Sequence, residues 1–253
     1  MAALATRGPG PLSQRWVTTR GTISAIAAED AEIANAVFGR SAAIALGGWP
    51  GSTHGRSWGS QAQFAADVQA GAIPETVRAV MYDPEAWEAT PLPERQDPIR
   101  HIREFVRLAH QQGYFAIVTP HLGLVEVADG RFGRRQGETR EEAYLRHGIA
   151  AEAARHADAY ETQGQHLQRD PTRYREFVRR TAEQARAANP GIVMLSGLAT
   201  HPGYPATPEM LRASWEVVRD VVDGHYLSLS RRRLPSVAGR FLRMIAESAG
   251  HPG

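Results

Sequence analysis

Cysteine and lysine are both absent from the 253 residues. Without cysteine the chain has no disulfide, thiolate nucleophile, thiolate zinc site or iron–sulfur cluster. Without lysine it cannot work as a Schiff-base aldolase or a pyridoxal enzyme, and it lacks the lysine of a phosphate-binding loop. All 29 basic residues are therefore arginine, and asparagine occurs only twice. We interpret this bias as the codon usage of a bacterial genome rich in G and C.

Net charge is also small. The 29 arginines face 27 acidic residues, which gives a formal net charge of +2. The sequence pI of about 9.2 is high because, without lysine or cysteine, little titrates between histidine and tyrosine. Nucleic-acid binding needs basic residues clustered on one face, and we interpret the arginine run 231–233 as solvated surface rather than a phosphate site. We therefore predict no nucleic-acid partner.

Long apolar stretches are missing too. No segment approaches the roughly 18 apolar residues that indicate a membrane span, and the apolar run at residues 2–5 is too short for the core of a signal peptide. We expect a cytoplasmic protein with no membrane partner, in which residues 1–20 are a flexible N-terminal segment. Residues 21–253 are expected to form one domain, because no change in composition divides them.

Four helices are marked by their first residues. Asp97, Asp170 and Thr207 each precede a proline, which combines a helix N-cap with the residue preferred at the first helical position. Thr139 and Glu142 have the spacing of a capping box. Apolar residues recur at helical spacing after these starts, and weaker helical patterns cover residues 28–38, 59–70 and 235–248.

Short apolar runs lie between the helical segments, at residues 22–27, 42–48, 77–83, 115–120, 157–161, 192–198 and 224–229. Most are almost continuously apolar, which is typical of strands buried on both faces of a parallel sheet. The alternation of strands and helices predicts an α/β protein with a TIM-type (β/α) barrel of seven strand–helix units. The sequence leaves open whether an eighth strand lies at residues 15–19. A doubly wound open sheet is disfavoured because no strand leads into a Gly-x-Gly-x-x-Gly turn.

In such a barrel the active site lies at the carboxyl ends of the strands. Polar and aromatic residues follow the predicted strand ends: Trp49, Asp83, Glu85, Trp87, His121, Glu161, Gln163, His201 and Tyr226. The two-residue period of a strand places Asp83 on the same face as Met81. Pro84 ends regular pairing, so Glu85 can turn away from this face.

The first functional hypothesis is an enzyme that needs no cofactor and uses carboxylate acid/base chemistry, like a glycoside hydrolase, on a small hydroxylated metabolite. Such chemistry needs one protonated and one ionised carboxyl group beside the bond that breaks. Glu161 is the first catalytic candidate, as general acid or nucleophile, with Asp83 or Glu85 as its partner. The predicted substrate-binding residues are His121, Gln163, His201, Tyr226, Trp49 and Trp87, the two tryptophans by stacking on a sugar ring.

A second hypothesis is an isomerase or lyase that depends on a divalent metal ion. Asp83, Glu85, His121, Glu161 and His201 would supply oxygen and nitrogen ligands, one or two from each strand end. No compact metal-binding motif accompanies them.

A third hypothesis is a cyclase, isomerase or binding protein for a hydrophobic biosynthetic intermediate. Trp49, Trp87, Tyr160 and Tyr226 would then line an apolar pocket. The sequence lacks the paired-aspartate motif of enzymes that ionise a diphosphate.

Overall fold

The chain folds into a closed barrel of eight parallel strands, which confirms the predicted fold class. The structure is a computed structural model, and it describes residues 14–201, 207–229 and 235–250. Neighbouring strands follow chain order, and β1 pairs with β8 to close the barrel. The strands are β1 (Arg15–Thr19), β2 (Ile44–Leu46), β3 (Thr53–Trp58), β4 (Ala79–Tyr82), β5 (Phe115–Val118), β6 (Ala159–Thr162), β7 (Val193–Ala199) and β8 (Gly224–Ser228).

Helices surround the strands, and the predicted N-caps are confirmed. The helices are α1 (Arg20–Glu29), α2 (Ala31–Phe38), α3 (Gln61–Gln69), α4 (Leu92–Gln96), α5 (Pro98–Gln111), α6 (Arg140–Arg146), α7 (Ile149–Ala154), α8 (Pro171–Ala188), α9 (Pro208–Glu216) and α10 (Pro235–Gly250). Asp97, Asp170 and Thr207 each accept a backbone hydrogen bond in the first turn, and Thr139 and Glu142 form the capping box. Within the described ranges, no helix is both long and apolar enough to cross a bilayer.

The first strand is not where the apolar run at residues 22–27 suggested. That run belongs to α1, because Ile23 and Ile26 are buried on one helical face and Thr19 caps the helix. The first strand is Arg15–Thr19, the segment for which the sequence left the presence of a strand undecided. The predicted flexible segment 1–20 is therefore wrong for residues 15–19, whereas residues 1–13 lie outside the described part of the chain. The arginine run 231–233 lies outside it as well.

The sequence also missed β3, which contains hardly any apolar residues. Its polar side chains are used in contacts with the next segment of the chain: His54 Nδ1 lies 2.8 Å from Thr76 Oγ1, and Arg56 pairs with Asp67 at 2.9 Å. The Trp58 indole also donates to Asp67, at 2.9 Å. Such a strand gives no apolar run. Six of the seven predicted strands are therefore present, and β1 and β3 bring the number to eight.

A six-residue loop, rather than a helix, connects β2 to β3. Gly47, Gly48 and Gly51 have φ values of 96°, 79° and 81°, a region that side chains rarely adopt. A Cβ at Gly51 would lie 2.4 Å from the carbonyl oxygen of Gly39. The loop can therefore turn back tightly only with glycine at these positions.

Two apolar cores lie on the two faces of the barrel wall. The inner core consists of Val17, Ile44, Leu46, Ala79, Met81, Ile117, Ala159 and Leu195. The outer core lies between strands and helices and contains Val80 and Tyr82, which confirms the predicted phase of β4. Because side chains alternate along a strand, the inward positions that follow Met81, Ile117 and Ala159 are Asp83, Thr119 and Glu161.

Candidate active site

A cavity of about 320 Å³ opens at the carboxyl ends of the strands. It brings together seven of the nine predicted site residues: Asp83, Glu85, His121, Glu161, Gln163, His201 and Tyr226. Its described lining comes from β4 to β8 and the segments that follow them, with none from β1, β2 or β3. The cavity is therefore displaced toward one half of the barrel mouth.

The two predicted stacking tryptophans do not line this cavity. The Trp49 indole packs against the outer core and donates to Asn35 Oδ1 at 3.2 Å. Trp87 lies in the segment after β4, where 58% of its surface is exposed. Glycine turns carry Trp49 away from the strand end, which residue type and position alone did not reveal.

Glu161 lies at the end of β6 and is only 2% exposed. Its Oε2 accepts a hydrogen bond from the Thr119 hydroxyl at 2.7 Å, and Gln165 Nε2 lies 3.4 Å from its Oε1. The pKa of Glu161 is raised to about 7, mainly by burial and also by the negative charge of Glu85, against the opposing effect of the two hydrogen bonds. The carboxyl group therefore exchanges its proton near neutral pH.

Room for this carboxyl group depends on Gly197 of β7. A Cβ at this position would lie 2.6 Å from Glu161 Oε1 and 2.2 Å from Gln165 Nε2. Such distances are far below van der Waals contact, so the pair of side chains occupies the space that a larger residue would fill.

Asp83 continues the inward phase of β4, and its backbone N–H donates to the Trp58 carbonyl oxygen at 2.9 Å. Its Oδ1 accepts a hydrogen bond from Gln163 Nε2 at 2.8 Å. Burial raises the pKa of Asp83 well above its usual value, and the charges of Glu85 and Glu161 add to the effect. The half-buried Glu85 lines the same cavity despite Pro84, and burial also raises its pKa.

One chain of hydrogen bonds links the two carboxyl groups. Gln163 Nε2 donates to Asp83 and lies 3.0 Å from Thr119 Oγ1, and the Thr119 hydroxyl donates to Glu161. Thr119 is fully buried at the end of β5. Three neighbouring strands thus hold two carboxyl groups at fixed positions.

The cavity lining also includes imidazole and guanidinium groups. Burial lowers the pKa of both His121 and His201. His121 accepts a hydrogen bond from the Gly123 N–H at 3.0 Å, and His201 Nε2 lies 3.0 Å from Ser228 Oγ. Both imidazoles are therefore biased toward the neutral form, which can donate and accept hydrogen bonds.

Sequence reasoning missed four polar lining residues, Arg140, Gln165, His166 and Ser228. Arg140 Nε pairs with Glu126 Oε2 at 2.6 Å, and His166 Nε2 lies 2.5 Å from Glu141 Oε1. Gln165 and His166 follow Glu161 in the loop after β6, so their position just beyond a strand end could have identified them as lining residues. Arg140 begins α6 and gave none, because no strand end precedes it.

His225 also stands in the last strand, but it faces the outer core. It is fully buried beside Trp16 and Trp215, and it bonds to Ser196 Oγ at 2.8 Å and Gln14 Oε1 at 3.1 Å. Burial lowers its pKa to about 3. The Ser–His pair thus resembles a catalytic pair in composition, but it is closed to solvent.

The apolar pocket of the third hypothesis does not form. Tyr160 is buried in the outer core, where its hydroxyl lies 2.5 Å from that of Tyr144. Of the four aromatic residues expected there, only Tyr226 lines the cavity. For the second hypothesis, no group of three or more His, Asp or Glu side chains in the described ranges is arranged to hold a metal ion.

No protein-family model matches the chain, and no curated protein matches its sequence. Among solved structures, the chain is similar to a candidate alpha-L-fucosidase from Bacteroides thetaiotaomicron, with a TM-score of 0.45 and 11% sequence identity. The match covers 74% of this chain, which spans 57% of the length of that structure.

Proposed function

We propose that the protein is an enzyme, a hydrolase of glycoside-hydrolase type that acts on a small hydroxylated molecule by carboxylate acid/base chemistry. The observation that carries this proposal is the linked pair Glu161 and Asp83 at the base of a cavity at the carboxyl ends of the strands. Strand carboxyl ends are where (β/α) barrels place their catalytic groups.

The roles follow from the protonation of neighbouring carboxyl groups. Burial is the larger cause of the raised pKa of Glu161 and Asp83, and neighbouring carboxylate charge adds to it, so a proton on Glu161 favours the ionised form of Asp83. Glu161, with a pKa of about 7, is the proposed general acid. Asp83 or Glu85 is the proposed ionised partner, which attacks the substrate carbon or deprotonates a water molecule.

The cavity limits the substrate class. At about 320 Å³ it lies at the lower end of the roughly 300–1,000 Å³ of small-molecule sites. Neutral imidazoles, glutamine amides and the Tyr226 and Ser228 hydroxyls offer both donors and acceptors, as hydroxyl groups require. We therefore propose a single small hydroxylated molecule, rather than a polymer chain, as the substrate.

The test begins with a panel of nitrophenyl glycosides of single sugars. Once one is cleaved, Glu161→Gln is expected to lower kcat by about 10² to 10⁴-fold, the usual contribution of a general acid. Asp83→Asn and Glu85→Gln identify the partner. Glu152→Gln, which changes a carboxyl paired with Arg155 away from the cavity, is the matched control and is expected to keep full activity.

Two results would contradict the proposal. A folded Glu161→Gln variant with full turnover would show that this carboxyl transfers no proton. Activity that disappears in chelator and returns with one added divalent ion would favour the metal-dependent hypothesis instead.

A further inference from the structure

We infer that Thr119 and Gln163 are positioning residues that determine which oxygen of Glu161 carries the proton to be transferred. The inference rests on the proposed function, because it concerns the carboxyl group to which that function assigns the proton transfer. It depends on the direction of each hydrogen bond in the chain that links Asp83 to Glu161.

The orientation of the Gln163 amide is set by its neighbours. Its Nε2 lies 2.8 Å from Asp83 Oδ1, 2.9 Å from the Thr119 carbonyl oxygen and 3.0 Å from Thr119 Oγ1. Only the amide nitrogen can face these oxygens, because it donates and the amide oxygen only accepts. Both N–H bonds are used within the protein, which leaves the amide oxygen as the group that Gln163 offers to a substrate.

The direction of the Thr119 hydroxyl follows from this. An amide nitrogen cannot accept a hydrogen bond, so the hydroxyl proton cannot point to Gln163. Among the described residues, the acceptor within reach is Glu161 Oε2 at 2.7 Å. Thr119 is fully buried, so the bond does not compete with bulk water. The hydrogen bonds are therefore donated in one direction, from Gln163 to Thr119 and from Thr119 to Glu161.

The carbonyl oxygen of a protonated acid is its better acceptor, so the short bond from Thr119, at 2.7 Å, favours Oε2 as that oxygen. The proton then resides on Oε1, which accepts the longer of the two hydrogen bonds, from Gln165 Nε2 at 3.4 Å. Glu161 thus presents Oε1 as its reacting oxygen and keeps Oε2 for Thr119.

The proton step balances with these assignments. The Oε1–H bond breaks as the proton passes to the leaving oxygen of the substrate, and the O–H electron pair stays on Glu161. The breaking C–O bond gives its electron pair to the leaving oxygen, and the ionised carboxylate, or water that it deprotonates, bonds to the carbon. The Thr119 hydroxyl then stabilises the new charge on Glu161, as hydrogen bonds to charged groups do.

The test measures the pKa of Glu161 in the protein without substrate, by ¹³C-carboxyl NMR, with the signal assigned by its loss in Glu161→Gln. Thr119→Val removes the hydroxyl at constant shape and is expected to raise this pKa by roughly 1, because the ionised form loses a hydrogen bond. Thr119→Ser keeps the hydroxyl and is expected to restore the wild-type value.

The control is Thr162→Val on the same strand as Glu161. Thr162 is equally buried, but its hydroxyl lies 2.8 Å from Thr181 Oγ1 in the outer layer. This variant is expected to lose stability and to leave the pKa of Glu161 unchanged. The titratable groups around Glu161 stay the same in all these variants. They are Asp83, Glu85, Tyr226, Tyr144, Tyr160 and Tyr174, together with the cavity-lining His121, His166, His201 and Arg140.

A second measurement needs no Thr119 variant. In the infrared difference spectrum between wild type and Glu161→Gln at acidic pH, the carbonyl stretch of protonated Glu161 is expected at the lowered frequency of a hydrogen-bonded acid. An unbonded frequency, or a Thr119→Val protein that titrates like wild type, would overturn the inference. Neither measurement uses a substrate, so an active Glu161→Gln enzyme would refute the proposed function separately.

Discussion

Gly197→Ala is the substitution that tests the described position of Glu161 most directly. The new Cβ would lie 2.6 Å from Glu161 Oε1, and ordinary contact begins near 3.4 Å, so one of the two must move by about 0.8 Å. Gln165 can swing its amide aside, but Thr119 holds Glu161 on its other oxygen. The φ angle of Gly197 is not in the left-handed region, so alanine meets a steric obstacle without backbone strain.

The expected effect is larger on catalysis than on stability. Overpacking of this kind lowers the free energy of unfolding by about 1–3 kcal/mol. Each kcal/mol lost lowers the Tm of a chain of this size by roughly 2–4 °C. A displacement approaching 1 Å at a reacting group can cost about 10²-fold in rate. Thermal melts and kcat on the substrate found in the glycoside panel measure the two effects.

Gly133→Ala is the matched control, because a Cβ there would meet nothing within 4 Å and its φ is also outside the left-handed region. We expect this variant to match wild type in activity and to be equally or slightly more stable. A Gly197→Ala protein that also matches wild type in both measurements would refute the reasoning, since Glu161 Oε1 could not then lie beside this residue.

Two further substitutions test the electrostatics of the fold. Folded Glu161 has a pKa of about 7 against an ordinary 4.5, so the folded protein binds more protons than the unfolded chain between these values and loses stability as pH rises through this window. Glu161→Gln removes this loss of stability. The variant should therefore unfold at a higher urea concentration than wild type at pH 8, and the difference should be smaller at pH 5. Equal unfolding midpoints at pH 8 would contradict the raised pKa of Glu161. Tyr82→Phe removes the hydroxyl that donates to the buried Glu94 at 2.7 Å, and urea unfolding should show a loss of about 1.5–3 kcal/mol. A loss below about 0.5 kcal/mol would mean that Ser60 and the α3 backbone, which also donate to Glu94, satisfy its charge alone.

Strand phase is the part of the site that the sequence could predict. The alternation through Met81 and Asp83 separates the inner face of β4 from Val80 and Tyr82 in the outer core. Glu161 and Gln163 are likewise two residues apart, and both line the cavity. Because parallel strands of a barrel end on one rim, a local two-residue period was sufficient to bring together carboxyl groups from distant parts of the sequence.

The errors have physical causes that residue types do not reveal. Residues 22–27 are apolar enough for a strand, and only the cap at Thr19 and the burial of Ile23 and Ile26 identify a helix. The polar side chains of β3 bond to the segment between β3 and β4, for example to Thr76, which no pattern within the strand reveals. Arg140 reaches the cavity from a helix start through tertiary packing, which no local pattern encodes.

The off-centre cavity divides the barrel mouth into a half that carries the candidate chemistry and a half that does not. The described segments after β1, β2 and β3 contribute no lining, whereas those after β4, β5, β6 and β7 do. Changes of substrate preference, whether by natural divergence or by directed evolution, are therefore expected to accumulate in the second set of loops. The first set is available for grafting a binding peptide or a fusion partner, provided that the glycine turn at residues 47–51 is kept.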